Sequence, residues 1–396
     1  MAFADPLKVL CLDIEGGYGG SSRSLWESLR HMDRSRIAPE VWCRRAGPIQ
    51  PLHAEAGIPS VVAPEMPSFS SLKRPSRSAY LLARLLLRWP GGKAFRARLL
   101  AAAEAADVVH LNHEALFILA RWLKRHCRTP LTMHIRTNLH DTAFSRWQDR
   151  SIARTADHLI YITENERETL ERLSGERPAG TIIYNIAVPP TSATIHPAIP
   201  KDGRFKLVSL SNFAFERGTD RLADIARVLD RMGRKDILIV AAGRMEMPRS
   251  SPGGMGRVAR NGGDFAAYIE GEGLSRHFLF LGHVNAPEQV LAGADALIKP
   301  TRDANPWGRD IIEALAAGVP VVTLGRYNRF VEDRVTGVLQ QDFDAERMAE
   351  AICGFADDRA RAKALGEAGR SRVTDLCDGR ARAADLFAVW ESVARR

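Results

Sequence analysis

Short apolar runs of β type alternate with stretches of helical period along the whole chain, and the alternation stops once near the middle and restarts. No other feature constrains the fold as much, because strand–helix–strand successions close into parallel sheets covered by helices. In the first half the expected strands are residues 8–13, 41–43, 60–63, 107–112, 131–135, 158–163 and 181–185, with helices over 21–31, 114–125 and 164–173. The stretch IAVPPTSATIHPAIPKDG, 186–203, then lacks periodicity and has the Pro-, Ser- and Thr-rich texture of a linker. Beyond it strands are expected at 206–210, 237–241, 278–281, 296–299, 321–324 and 338–341, followed by a helical, Ala- and Arg-rich tail from Ala345. The helix after the first of these sets Leu222, Ile225, Ala226 and Leu229 on one face. At 396 residues the chain is too long for one ordinary core. The expectation is α/β in two domains, 1–190 and 191–375, with a cleft between them and a last helix over 376–396.

Composition narrows the function classes. No run approaches the ~18 apolar residues of a membrane span, and MAFADPLKVLCLDIEGG reads as a first strand rather than a signal peptide. Cys11, Cys43, Cys127, Cys353 and Cys377 are odd in number and never at metal-ligand spacing, which fits free thiols in a reducing cytoplasm. A formal charge of +9 favours anionic partners. Nucleotide diphosphates and anionic lipid surfaces fit, whereas no nucleic-acid motif or aromatic–basic stripe points to DNA or RNA. Residues 72–100 carry eight cations among runs such as AYLLARLLLRW. They read either as a core helix with a solvated basic face or as a segment in peripheral contact with an anionic membrane.

Three segments carry chemistry. In DALIKPTRDANPWGRDIIEALAAGVPVVTL, Asp295 to Leu324, a buried strand ends near Pro300 and a helix starts near Trp307–Gly308 and stops at Gly318. The amides of Gly308, Arg309 and Asp310 would there face a ligand such as a pyrophosphate, with Gly308 allowing close approach. Glu313, one turn in, either accepts hydrogen bonds from sugar hydroxyls or complements the positive helix end. In FKLVSLSNFAFERGTDRLADIA, Phe205 to Ala226, a strand leads into Arg217-Gly218 before the next helix. Arg217 is either a phosphate clamp or a solvated cation. The glycine-rich turn from Asp13 to Ser22 suggests a phosphate site only weakly, because its spacing is not GxGxxG; tight turning explains it as well.

The order Asn305-Pro306-Trp307-Gly308, four residues, Glu313, then Ala314-Leu315-Ala316-Ala317-Gly318-Val319-Pro320-Val321 resembles the donor motif of the retaining GT-B glycosyltransferases of family 4. The family pattern there is Glu-x-Phe-Gly, four residues, Glu, Ala-x-Ala-x-Gly-x-Pro-Val, so Asn305 replaces the first Glu. The resemblance extends to the loop before Arg217, where Asn212 replaces an Arg, and to Gly243-Arg244, FLGHVN and YITENERETL. It implies two facing Rossmann-like domains, the last helix crossing back onto the first. It further implies hexosyl transfer with retention from an NDP-sugar to a glycan or lipid-linked acceptor, by front-face attack and without a cofactor or bound metal.

By the same resemblance, Arg217, Glu313 and His134 are the catalytic candidates. Donor binding falls to Asn212, Arg217, Gly243, Asn305, Trp307, Gly308, Arg309, Asp310 and Glu313, and the acceptor side to Gly19, Gly20, His134 and Arg136, with His140 a weaker neighbour. The implied location is the cytoplasm, at the inner membrane face, in polysaccharide or lipid-linked glycan assembly. Two rival readings are a sugar-nucleotide epimerase and a non-catalytic sugar-nucleotide binder, the latter prompted by Asn212 and Asn305.

Overall fold

A computed structural model describes residues 5–17, 19–190 and 194–395. Its described strands form two wholly parallel sheets. The first holds β1 (Leu7–Asp13), β2 (Ile37–Cys43), β3 (Ser60–Val62), β4 (Val108–Leu111), β5 (Leu131–Ile135), β6 (His158–Tyr161) and β7 (Gly180–Ile182), in the order β3-β2-β1-β4-β5-β6-β7. The second holds β8 (Phe205–Leu210), β9 (Ile237–Ala242), β10 (Phe278–Gly282), β11 (Ala296–Lys299), β12 (Val321–Leu324) and β13 (Gly337–Gln340), in the order β10-β9-β8-β11-β12-β13.

Every strand expected from the apolar runs is present, with bounds shifted by a few residues. The largest shift is β2, which begins at Ile37 although Pro39 and Glu40 interrupt its pattern. Its pairing with β3 starts only at Val41, so Pro39, lacking an N–H, lies where β2 has one neighbour rather than two.

By internal contact the chain divides into Met1–Ile186 with Gly379–Arg396, and Ala187–Asp378. In the first unit the last helix, Gly379–Ala394, inserts a fully buried Trp390 among Leu25, Leu29 and Val108. In the second, the helix Arg221–Arg231 buries Leu222, Ile225, Ala226 and Leu229 completely, as their spacing requires. Each such leucine or isoleucine contributes about 1.5–3 kcal/mol.

The 72–100 segment departs from a single core helix. It forms two helices, Pro75–Arg88 and Lys93–Glu104, divided by a turn over Trp89–Gly92. The second buries Phe95, Leu99 and Ala103, whereas the first buries only Ser78. The core reading holds only in part for the first helix, whose Leu81, Leu82 and Leu85 pack half-buried against the core. Its apolar residues recur too often to fit one face, and Leu86 and Leu87 remain 56% and 82% exposed.

Candidate functional site

Strand order reverses once in each sheet, between β1 and β4 and between β8 and β11. At such a point the connections leave the sheet in opposite directions, which opens a crevice at the strands' carboxyl ends. Both crevices collect polar residues, of different kinds.

At the second crevice the loops after β8 and β11 are fastened together. Gly218 has φ +74 and a Cβ there would lie 1.8 Å from the Pro300 carbonyl oxygen, so both conformation and space require glycine. The Thr301 hydroxyl and the Arg302 amide donate to the Glu216 carbonyl at 3.1 and 2.8 Å. The Arg302 guanidinium clasps both oxygens of Asp220 at 2.6 and 2.7 Å. Arg221 donates to the carbonyls of Pro300 and Thr301 at 3.0 and 3.1 Å.

From this fastened base Arg217 projects into solvent and makes no ion pair among the described residues. It lines a hollow of about 210 Å³ with Asn212, Gly243 and His283. Gly243 lets β9 end against the backbone after β8, since a Cβ would sit 2.2 Å from the Ser211 carbonyl oxygen. The Asn212 side-chain oxygen accepts from the Arg244 amide at 2.9 Å, which holds the two turns in register.

Past β11 the chain passes Asn305, whose side-chain oxygen accepts from Thr301 at 3.0 Å, and the buried Trp307, packed edge-on to Tyr327. The helix Arg309–Ala316 follows, with Gly308 as its N-cap in extended conformation. Lys299, the last residue of β11 and 8% exposed, reaches Asp310 at 3.0 Å beneath Gly308. A Cβ on Gly308 would lie 2.3 Å from that ammonium. Glu313 is held by Arg309 one turn back, with guanidinium nitrogens 2.8 and 3.0 Å from the same oxygen. That ion pair is a contact that neither reading of Glu313 from the sequence included.

The first crevice is a closed hydrogen-bond network. Asp13, at the end of β1 and 1% exposed, accepts from the Ser22 hydroxyl and from the Asn112 amide, the latter at 2.7 Å. Burial pushes its carboxyl up, while those two donors pull the other way. Arg136 donates to the Asn112 side-chain oxygen at 2.6 Å, to its carbonyl at 2.8 Å and to Asn185 at 3.2 Å. Glu114 accepts from the Arg136 amide at 3.0 Å and from the Thr137 hydroxyl.

Gly19 caps the helix Gly20–Arg30, and a Cβ on Gly19 or Gly20 would meet nothing within 4 Å. His134, on β5 and 5% exposed, shares a 3.1 Å hydrogen bond with His110, which bonds Thr132 at 3.0 Å. Burial, then the nearby Arg136 charge, holds the His134 pKa well below the usual imidazole range, so the ring is neutral at pH 7. His140 lies exposed outside the network. Among the described residues no three His, Cys, Asp or Glu side chains form a metal-binding group.

Sequence reasoning did not single out Asp13, Asn112, Glu114 or Asn185 in the first crevice, or Asp220, Arg221, Lys299, Thr301 and Arg302 in the second. The usable signal was positional: each follows or ends a strand bordering the reversal point, except Asn185, which follows the edge strand β7.

Two Rossmann-like α/β units, each with a polar crevice at its strand reversal, define the GT-B class of glycosyltransferase folds. The model for the glycosyl transferase 4-like domain matches residues 19–185, and that for glycosyl transferases group 1 matches residues 192–372. The chain belongs to the group 1 glycosyltransferases.

The lipopolysaccharide core biosynthesis mannosyltransferase LpsB of Rhizobium meliloti is 33% identical over 31% of this chain, which spans only 36% of that relative. The phosphatidyl-myo-inositol mannosyltransferase of Mycobacterium leprae is 25% identical over 73% of this chain and 74% of its own length. Among solved structures, Anabaena HepE in complex with UDP and glucose superposes with a TM-score of 0.75 at 20% identity, covering 98% of this chain and 100% of that one. That likeness shows the fold.

Proposed function

We propose that the protein transfers a hexosyl group from an NDP-sugar to a glycan or lipid-linked hydroxyl with retention at the anomeric carbon. The observation that carries this reading is the fastening of the Arg217 loop to the loop after β11, which sets an unpaired guanidinium and a helix N-terminus at one end of the same sheet. A departing diphosphate needs charge stabilisation more than it needs a nucleophile, and preorganised donors supply it with little reorganisation. Arg217 and the turn at Gly308–Asp310 meet the phosphates, Glu313 holds the nucleotide ribose, and Asn212 and Gly243 border the donor. Asn305 and His134 orient the sugar, with Trp307 and Arg309 supporting the turn.

In front-face attack the acceptor oxygen bonds the anomeric carbon on the side the diphosphate leaves. The departing phosphate oxygen takes the acceptor proton. Gly19, Gly20 and Arg136 are proposed to border the acceptor. The basic, largely exposed helix Pro75–Arg88 supports peripheral contact with an anionic membrane, and no described helix is long and apolar enough to cross one.

A Corynebacterium glutamicum relative named as a GDP-mannose-dependent mannosyltransferase makes GDP-mannose the first donor to try, and HepE in complex with UDP-glucose makes UDP-glucose the second. The test is proton NMR of the reaction with each donor and lipid-linked glycan acceptors. An α-linked product from an α-configured donor supports the proposal. A β-linked product removes retention, and conversion of free NDP-sugar without acceptor supports an epimerase instead.

A further inference from the structure

A second cavity lies in the first domain beside the loops that follow β2 and β3, and none of the transfer chemistry uses it. It occupies about 330 Å³ between the loop 64–70 and the helices Pro75–Arg88 and Lys93–Glu104, within the usual range of ligand pockets, roughly 300–1,000 Å³. Leu81, Leu85, Trp89, Phe95, Met66 and Phe69 supply apolar wall. Arg44, Arg84, Arg88 and Arg96 also line it, against one carboxylate, Glu65, which is paired with Arg98.

Two of the four arginines have duties in the wall. Arg96 donates to the Trp89 carbonyl and lies over the Trp89 ring at 5.1 Å, and Arg44 donates to the Met66 carbonyl at 2.9 Å. Arg84 and Arg88 make no ion pair among the described residues. They are exposed, on the helix that contributes Leu81 and Leu85 to the same wall.

An apolar pocket lined by uncompensated guanidiniums is mismatched to a neutral apolar ligand, which leaves the charge unused. It is equally mismatched to a bare phosphate, which leaves the apolar wall wet. One ligand chemistry satisfies both. We infer that this cavity binds an aliphatic chain bearing a phosphate headgroup, with the chain between Leu85, Trp89 and Phe95 and the phosphate on Arg84 and Arg88. Guanidinium pairs suit phosphate because they offer several donors in a fixed fork. Leu86 and Leu87, adjoining Arg88 on the same helix, are exposed apolar side chains of the kind that rest on a lipid surface while one chain is taken up. Binding here needs no donor sugar, so this inference and the transfer reading fail separately.

The test uses the full chain and decyl phosphate brominated along its chain, kept below its micellar concentration, with Trp fluorescence as the readout. The expected result is saturable quenching whose amplitude Trp89→Phe reduces, with circular dichroism confirming the fold. The R84Q/R88Q double variant weakens binding at least tenfold, Leu85→Glu abolishes it, and a brominated neutral decyl maltoside fails to quench at the same concentration. The inference is overturned by quenching of unchanged amplitude in Trp89→Phe, by equal quenching from the neutral amphiphile, or by no saturable response. Quenching seen only with vesicles of brominated phosphatidic acid overturns it too, in favour of surface contact alone.

Discussion

The two strand-reversal crevices share a topology and differ in how their charges are used. At β1/β4 the carboxylate of Asp13 and the guanidinium of Arg136 are both satisfied internally, through Ser22, Asn112 and Asn185. At β8/β11 the internal bonds are made by Arg221, Arg302 and Asp220, while Arg217 is left facing solvent. One crevice spends its charge on rigidity; the other keeps a cation in reserve on a rigid base. The contrast teaches that the doubly wound sheet supplies the place, whereas the choice of partners around it decides whether the place can answer an incoming anion.

The contrast breaks most visibly at Arg217. In transfer assays with a competent donor, Arg217→Ala is expected to lower kcat by about 100- to 1,000-fold, the effect of removing one preorganised charge donor. The same substitution should leave thermal unfolding nearly unchanged, because the side chain holds nothing else. Unchanged turnover would return Arg217 to the status of a solvated cation.

Gly218→Ala tests the base rather than the cation. The added Cβ collides with the Pro300 carbonyl at a positive φ, so the two loops must part. A loss of about 2–4 kcal/mol in chemical denaturation is expected, with donor protection against heating reduced as well. At the other crevice Asp13→Ala leaves Asn112 without its acceptor and should cost about 1–3 kcal/mol. It should not alter nucleotide binding. If it weakens NDP affinity as much as Gly218→Ala does, the division of labour between the crevices is wrong.

The smallest effect concerns pH. His53 is buried in the first domain with neither ring nitrogen hydrogen-bonded, and burial lowers its pKa to about 4. Between pH 6.5 and about 4 the unfolded chain binds a proton there that the folded chain refuses, so stability falls as pH drops through that window. His110, lowered to about 3 by burial and then by Arg136, adds to the same slope. Melting temperatures of His53→Leu are expected to fall less steeply than those of the parent from pH 6.5 to 4.5. An identical slope would show that the ring titrates normally.

Much of this was legible in the sequence because parallel strands are buried on both faces and read as continuous apolar runs, ended by the loops that carry ligands. Leu207–Leu210 and Leu297–Ile298 are such runs, and Arg217 and Gly308 lie in the loops that follow them. The fastening was not legible. Nothing in Arg302 or Asp220 taken alone says that they pair, since 82 residues and a strand reversal separate them. The exposed Pro75–Arg88 helix was misleading for the opposite reason: leucines are read as core, yet Leu86 and Leu87 face out where no neighbour covers them.

The central claim concerns where a diphosphate sits, and a crystal of the full chain grown with GDP or UDP addresses it most directly. The account predicts phosphate density within hydrogen-bond reach of the Arg217 guanidinium and the Gly308–Asp310 amides, lost or displaced in Arg217→Ala crystals. A nucleotide bound with its phosphates away from the β8/β11 mouth, or on the same partners with Arg217 uninvolved, would contradict it.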